Sequence, residues 1–141
     1  MEFLMQRILY ISTAREKLDA IELDSILKVS RRNNAAVGVT GLLVVGGRRF
    51  LQVLEGPDDQ VAAVFDRISR DDRHFAVVKL SKKTVETRLF GEWAMGYRTV
   101  ASAAMPDEGN LSAIVERLIA PIDDIVLRAE FTAFAALHAA A

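Results

Sequence analysis

Residues 37–55 constrain the fold more than any other stretch of this chain. Residues 37–45 and 49–55 are both rich in β-branched and aliphatic side chains, and Gly46-Gly47 stands between them. Two apolar runs joined by such a pair predict a β-hairpin. A helical pattern flanks the hairpin on each side. Before it, Leu23, Ile26, Leu27 and Ser30 fall at helical spacing, the first three as an apolar stripe. This helix is expected to run out near Arg31-Arg32-Asn33-Asn34. Cations there suit the negative end of the helix dipole, and Asn is a common residue where a helix stops. After the hairpin, Gly56-Pro57 breaks the strand. Pro57 followed by Asp58 and Asp59 predicts a helix start, because proline lacks only a donor that is unused there and acids favour the positive dipole end. Val61, Val64, Phe65 and Ile68 then form an i, i+3, i+4, i+7 stripe.

An earlier run, residues 7–12, reads as a buried strand. Alternation puts Ile8, Tyr10 and Ser12 on one face and Arg7, Leu9 and Ile11 on the other. Residues 75–81 read as a fourth strand, and residues 88–97 as a fifth with Trp93, Met95 and Tyr97 on one face. The order strand, helix, strand, strand, helix, strand, strand predicts an α+β chain. Its first six elements spell the ferredoxin-like unit; the whole is βαββαββ, with a five-stranded mixed sheet and two helices on one face. Residues 101–110, with Pro106 and Gly109, read as a loop. Leu111, Ile114, Val115, Leu118 and Ile119 form a further helical stripe. Pro121 is expected to open a last helix in which Ile122, Ile125, Val126 and Ala129 pack, and the alanine-rich tail favours helix. We therefore expect residues 1–100 as the functional domain and residues 101–141 as an extension of two C-terminal helices packed on the sheet.

Composition narrows the chemistry. A chain of 141 residues is expected to form one domain. Its formal net charge of −1 offers no basic excess for a phosphate backbone, so direct nucleic-acid binding is not expected. With no cysteine, disulfides, thiolate nucleophiles and thiolate metal sites are excluded. Two histidines, His74 and His138, are too few for a histidine-based metal site unless carboxylates complete it. The N-terminal stretch is interrupted by Glu2, Gln6 and Arg7, unlike a signal peptide, and no apolar segment reaches the ~20 residues that span a bilayer. A soluble cytoplasmic protein without membrane attachment is the expectation.

Two polar pairs stand out, one in apolar company and one at a helix end. Tyr10 and Gln52 fall on strands expected to be neighbours, and Gln52 shares its face with Phe50 and Leu54. A buried amide must find partners, since an unsatisfied polar group costs about 1–3 kcal/mol. A Tyr–Gln hydrogen bond that merely satisfies the core is the plain alternative. Asn33-Asn34 can be a helix stop, or an amide presenting a donor and an acceptor side by side. That second pattern complements the imide edge of a flavin.

Taken in order, five segments resemble one family. They are ILYIST with Tyr10; RRNNAAVGVTGLL with Asn33, Asn34, Gly38, Thr40 and Gly41; RRFLQVLEG with Phe50, Gln52, Glu55 and Gly56; RISRDDRH with Arg67, Asp71, Arg73 and His74; and FGEWAMGY with Trp93 and Met95. Each alone is weak, but in this order and spacing they resemble the BLUF domains, blue-light sensors that use FAD, over about residues 5–97. The resemblance implies a flavin ring held without a covalent bond between the two helices. It implies FAD as cofactor, with FMN possible in preparations. Tyr10 matches the photochemical tyrosine and Gln52 the switching glutamine. Asn34, with Asn33 beside it, matches the grip on the imide edge. Ile26 and Ile68 match the aliphatic walls, beside Phe50 and Leu54 on the sheet. Asp71, Arg73 and His74, and more weakly Ser30, match positions near the ribityl and phosphate end.

The implied mechanism is a switch. On illumination Tyr10 gives an electron and, through Gln52, a proton; both return; Gln52 is left rotated or tautomerised, with a new hydrogen bond to the C4 carbonyl. Trp93 and Met95 match the relay on the last strand. The chain departs from the family at Ala94, where serine is common, and at Phe75, where a second histidine can occur. These departures bear on recovery rate and the phosphate contact.

The implied function is photoreception rather than turnover. A flavin enzyme would need a further acid–base pair or substrate motif, which we do not find. An RNA-binding relative of the same fold would need aromatic and basic residues on an open sheet face, where alternation here gives mostly aliphatics. A light-insensitive interaction module is disfavoured by Tyr10, Gln52 and Asn34. Expected partners are the flavin, an unidentified downstream protein, and further copies of the chain in a homodimer or larger homo-oligomer seated on the last helices or on an uncovered sheet face.

Overall fold

The computed structural model describes residues 4–16, 19–89, 96–99, 115–116, 119–120 and 122–138. The elements run β1 (Met5–Ala14), α1 (Ala20–Ala36), β2 (Thr40–Gly46), β3 (Arg49–Pro57), α2 (Asp58–Ser69), β4 (His74–Val85), β5 (Gly96–Thr99) and α3 (Ile125–His138). The chain is α+β. Its strands lie in the order β4-β1-β3-β2-β5. β1 runs antiparallel to β3 and to β4, and β3 runs antiparallel to β2. β5 joins β2 in parallel. The hairpin forms with Gly46 opposite Arg49. At Gly41 the backbones of β2 and β3 come too close for any side chain: a Cβ would meet the Val53 carbonyl oxygen at 1.9 Å.

Strand alternation sorts the side chains onto two faces. On one, Ile8, Tyr10, Leu43, Val45 and Leu54 form a core with Leu23 and Leu27 of α1 and Val61 and Val64 of α2. On the other, Leu9, Leu42, Val44, Leu51 and Val53 are covered by Ile122 and by Leu127, Phe131, Phe134 and Ala135 of α3. Each large apolar side chain so buried contributes about 1.5–3 kcal/mol. This corrects the expectation of an uncovered sheet face on which copies of the chain might meet: α3 lies over its central strands.

Several boundaries differ from the sequence reading. α1 does not stop at Asn33-Asn34 but continues to Ala36, and its last turn holds no basic residue. The stop is Gly38, at φ +73°, a left-handed conformation that glycine adopts without strain. β2 accordingly begins at Thr40 rather than at residue 37. β4 starts at His74 and reaches Val85, and its register against β1 shifts twice, with Ala76 at φ 54°. Arg88 is not in a strand: its guanidinium donates to the Gly38 carbonyl (2.7 Å) and the Thr40 hydroxyl (3.0 Å). α3 begins at Ile125, not at Pro121, because the Asp124 carboxylate caps it by accepting from the Leu127 amide at 3.0 Å. That phase turns residues 127, 131, 134 and 135 to the sheet and leaves Ile125 and Val126 exposed at 81% and 67%, along with Ala129.

Candidate functional site

A cleft opens between α1 and α2 above the sheet. Its volume is about 150 Å³. Small-molecule pockets commonly measure about 300–1,000 Å³, so this is a slot for part of a ligand rather than a closed chamber.

Tyr10 and Gln52 form the floor. They are direct partners in the β1–β3 ladder and share the cleft face. The Tyr10 hydroxyl donates to Gln52 Oε1. Both are buried, and the Tyr10 ring meets Phe65 edge-on with centroids 5.3 Å apart. Burial pushes the Tyr10 phenol well above its ordinary 10, and the negative charge of Asp71 adds to the shift. The phenol therefore stays a donor, which orients the Gln52 carbonyl toward it and turns the amide nitrogen elsewhere.

α1 and α2 supply the walls. Ile26 and Ile68, both half-buried, line the cleft from opposite helices, beside Leu23, Leu27 and Val64. Phe50 and Leu43 line it from the sheet. Asn34, on the last turns of α1, is buried and lines the cleft; its neighbour Asn33 lines it from an exposed position, and Ser30 is half-buried there.

The remaining residues come from the end of α2 and the turn into β4. His74 approaches the Ser12 hydroxyl with Nδ1 (2.8 Å) and the Ile68 carbonyl with Nε2 (2.6 Å). Asp71 receives the Arg73 backbone amide (3.0 Å) and its guanidinium Nε (2.8 Å) and Nη2. Those hydrogen bonds hold the Asp71 carboxyl well below the usual range, at about 2, so it is ionised at neutral pH. Arg67 lines the same cleft from α2.

The structure thus brings together every expected site residue of the described segments except Leu54. Leu54 shares the face of Gln52 but is fully buried in the core with Ile8, Val39 and Val61, outside the lining. The sequence reading gave no role to Ser12, Leu43 or Arg67. Two signals were present: Ser12 alternates with Tyr10, and Leu43 stands opposite Gln52 in the hairpin register. Trp93 and Met95 lie outside the described residues. Among the described residues no cluster of three or more His, Asp or Glu could hold a metal, and no helix is long and apolar enough to cross a membrane.

An apolar slot with amides at its floor and helix end, and ionic groups at the opposite helix end, fits a flat heteroaromatic ring carrying a polar tail. The comparisons agree with that chemistry. The chain is 30% identical over 92 residues to the blue light- and temperature-regulated antirepressor BluF of Escherichia coli, covering 65% of this chain and 23% of that one. It is 34% identical over 93 residues to the photoactivated adenylate cyclase subunit alpha of Euglena gracilis, covering 64% of this chain and 9% of the other. The chain thus spans less than a quarter of the length of these relatives. Among solved structures, the dark-state BLUF protein BlrB superposes with a TM-score of 0.71 at 25% identity, over 94% of this chain and 98% of that one. The BLUF family profile, described as sensors of blue-light using FAD, matches residues 5–96, and the chain belongs to this family of flavin-based blue-light sensors.

Proposed function

We propose that this chain holds FAD non-covalently between α1 and α2 and converts blue light into a reversal of the hydrogen bond between Tyr10 and Gln52. The observation that carries this reading is the buried phenol–carboxamide pair on the cleft floor. The bound flavin supplies blue-light absorption and an excited state able to oxidise a neighbouring phenol. Everything else is done by the chain. Tyr10, kept protonated by burial, has both an electron and a proton to give. Gln52 carries a donor and an acceptor on one amide, so turning or tautomerising it inverts the local hydrogen-bond pattern while its shape stays the same. Asn34 and Asn33 hold the imide edge, Ile26, Ile68 and Phe50 grip the ring, and Asp71, Arg73, His74 and Ser30 serve the ribityl and phosphate end. FMN shares the ring and the ribityl chain, so the same contacts accept it.

We read the topology as ferredoxin-like with β5 as a fifth strand, supported by the antiparallel β4-β1-β3-β2 order and the parallel β2–β5 pairing. Residues 1–100 act as sensor and 101–141 as output extension. Trp93 and Met95 relay the switch, since they precede β5 directly and β5 pairs with β2. An unidentified downstream protein receives the signal, and the chain works as a homodimer or larger assembly. Coupling to an effector is in keeping with relatives named as an antirepressor and as adenylate cyclases.

The test is the absorption spectrum of purified protein before and after blue light. Wild type is expected to be yellow and to shift reversibly to the red. Tyr10→Phe and Gln52→Leu are expected to keep the flavin and lose the shift. A normal reversible shift in either variant refutes the role given to that residue.

A further inference from the structure

Ser12 stands two residues past Tyr10 on β1, and so on the same cleft-facing side of the strand. It is 1% exposed and lines the cleft. Its hydroxyl oxygen lies 2.8 Å from His74 Nδ1, while His74 Nε2 lies 2.6 Å from the Ile68 carbonyl oxygen. A carbonyl oxygen only accepts, so Nε2 carries the proton. In the neutral ring Nδ1 is then the acceptor, and the Ser12 hydroxyl must donate to it. With the ring neutral, the single hydroxyl proton is thereby committed to His74. What Ser12 still offers is its lone pairs.

This decides which ligand groups Ser12 can serve. The carbonyls and unprotonated nitrogens of an isoalloxazine ring are acceptors and gain nothing from a second acceptor. Its one N–H belongs to the imide edge, which we assign to Asn34 on another element. The hydroxyls of a ribityl chain, in contrast, are donors. The ionised Asp71 carboxylate lines the same cleft three residues from His74, so a second acceptor stands by that end. We propose that Ser12, fixed as an acceptor by His74, takes a hydrogen bond from a ribityl hydroxyl and so lets the cleft distinguish a polyol-bearing flavin from the bare ring system. His74 acts here as a positioning residue, through the orientation of the Ser12 hydroxyl.

The inference deepens the proposed function and rests on it, so the experiment separates the two. Flavin-free protein is titrated at about pH 8. The probes are riboflavin, which carries the ribityl chain, and lumiflavin, which has a methyl group in its place; binding is followed by quenching of flavin fluorescence. Ser12→Ala is expected to weaken riboflavin about five- to tenfold, the worth of one hydrogen bond, and to leave lumiflavin unchanged. Equal weakening of both ligands would make Ser12 a structural residue, and no weakening of either would show that it makes no contact; each result overturns the assignment while leaving the photoreceptor reading in place. A wild-type protein that binds neither ligand overturns both. One that binds both but shows no light-induced shift overturns the photoreceptor reading alone, and the ratio of the two affinities still decides the role of Ser12.

Discussion

Tyr10 is buried deeply enough that its ionisation becomes a statement about stability. Desolvation, with a contribution from the Asp71 charge, raises its pKa in the folded chain above the value of 10 it has when exposed. A group whose folded pKa is raised binds its proton more tightly in the native state. Its stabilising contribution is complete below pH 10 and declines as the pH climbs toward the folded pKa, by up to about 1.4 kcal/mol per pH unit. Wild type is therefore expected to lose stability between about pH 10 and 12 more steeply than Tyr10→Phe. Denaturant midpoints across that range check this, and parallel slopes would contradict it. Tyr10 and Gln52 were legible as a pair because strand alternation and hairpin register are both written in residue order. Leu54 was misread for the same reason: alternation gives the face but not how far along it the helices stay apart. Ser12 was invisible as a contact because its partner His74 is 62 residues away, across a pairing that only the fold creates.

At the scale of elements, the hairpin and the apolar stripes of α1 and α2 followed from turn residues and periodicity, while their ends did not. Asn33-Asn34 looked like a helix stop, yet the helix continues because Gly38 is the residue that adopts the left-handed conformation. The two register shifts between β1 and β4 had no sequence signal, since a bulge adds a residue without changing composition. One of them places Ala76 at φ 54°, where an alanine Cβ crowds the backbone at a cost of about 1–2 kcal/mol. Ala76 is exposed, so no packing is lost by removing its methyl group. Ala76→Gly is thus expected to stabilise the fold by about 0.5–1 kcal/mol, the strain relieved less the extra freedom of glycine when unfolded. The urea midpoint should rise with an unchanged slope; a fall would show that the bulge is not strained.

At the scale of the molecule, the two sheet faces divide the work: the cleft lies on one, and α3 covers the other. Beneath α3 a set of charges ties that helix to the sheet. The buried Arg7 guanidinium donates to the fully buried Glu55 carboxylate at 2.8 Å and approaches Asp124 at 3.5 Å, with the Lys83 ammonium 3.7 Å from Asp124. Asp124 in turn caps α3, and the backbone hydrogen bond it accepts from Leu127 is the first reason its carboxyl is held below the usual range. The sequence could not show this, because Arg7 and Asp124 are far apart in the chain. A buried ion pair is dispensable as a pair but costly to break, since the partner left behind is an uncompensated charge. Glu55→Leu alone is expected to destabilise the chain by about 3–5 kcal/mol, whereas Arg7→Met combined with Glu55→Leu should recover most of that loss. Because both side chains point away from the cleft, the double variant is expected to keep the flavin spectrum and its light-induced shift. Chemical denaturation and absorption measured on the same samples test the two halves of this argument. A double variant no more stable than Glu55→Leu would mean that Glu55 supports the sheet by contacts other than Arg7, and a stable double variant without the light-induced shift would mean that the two faces are not independent in the dark.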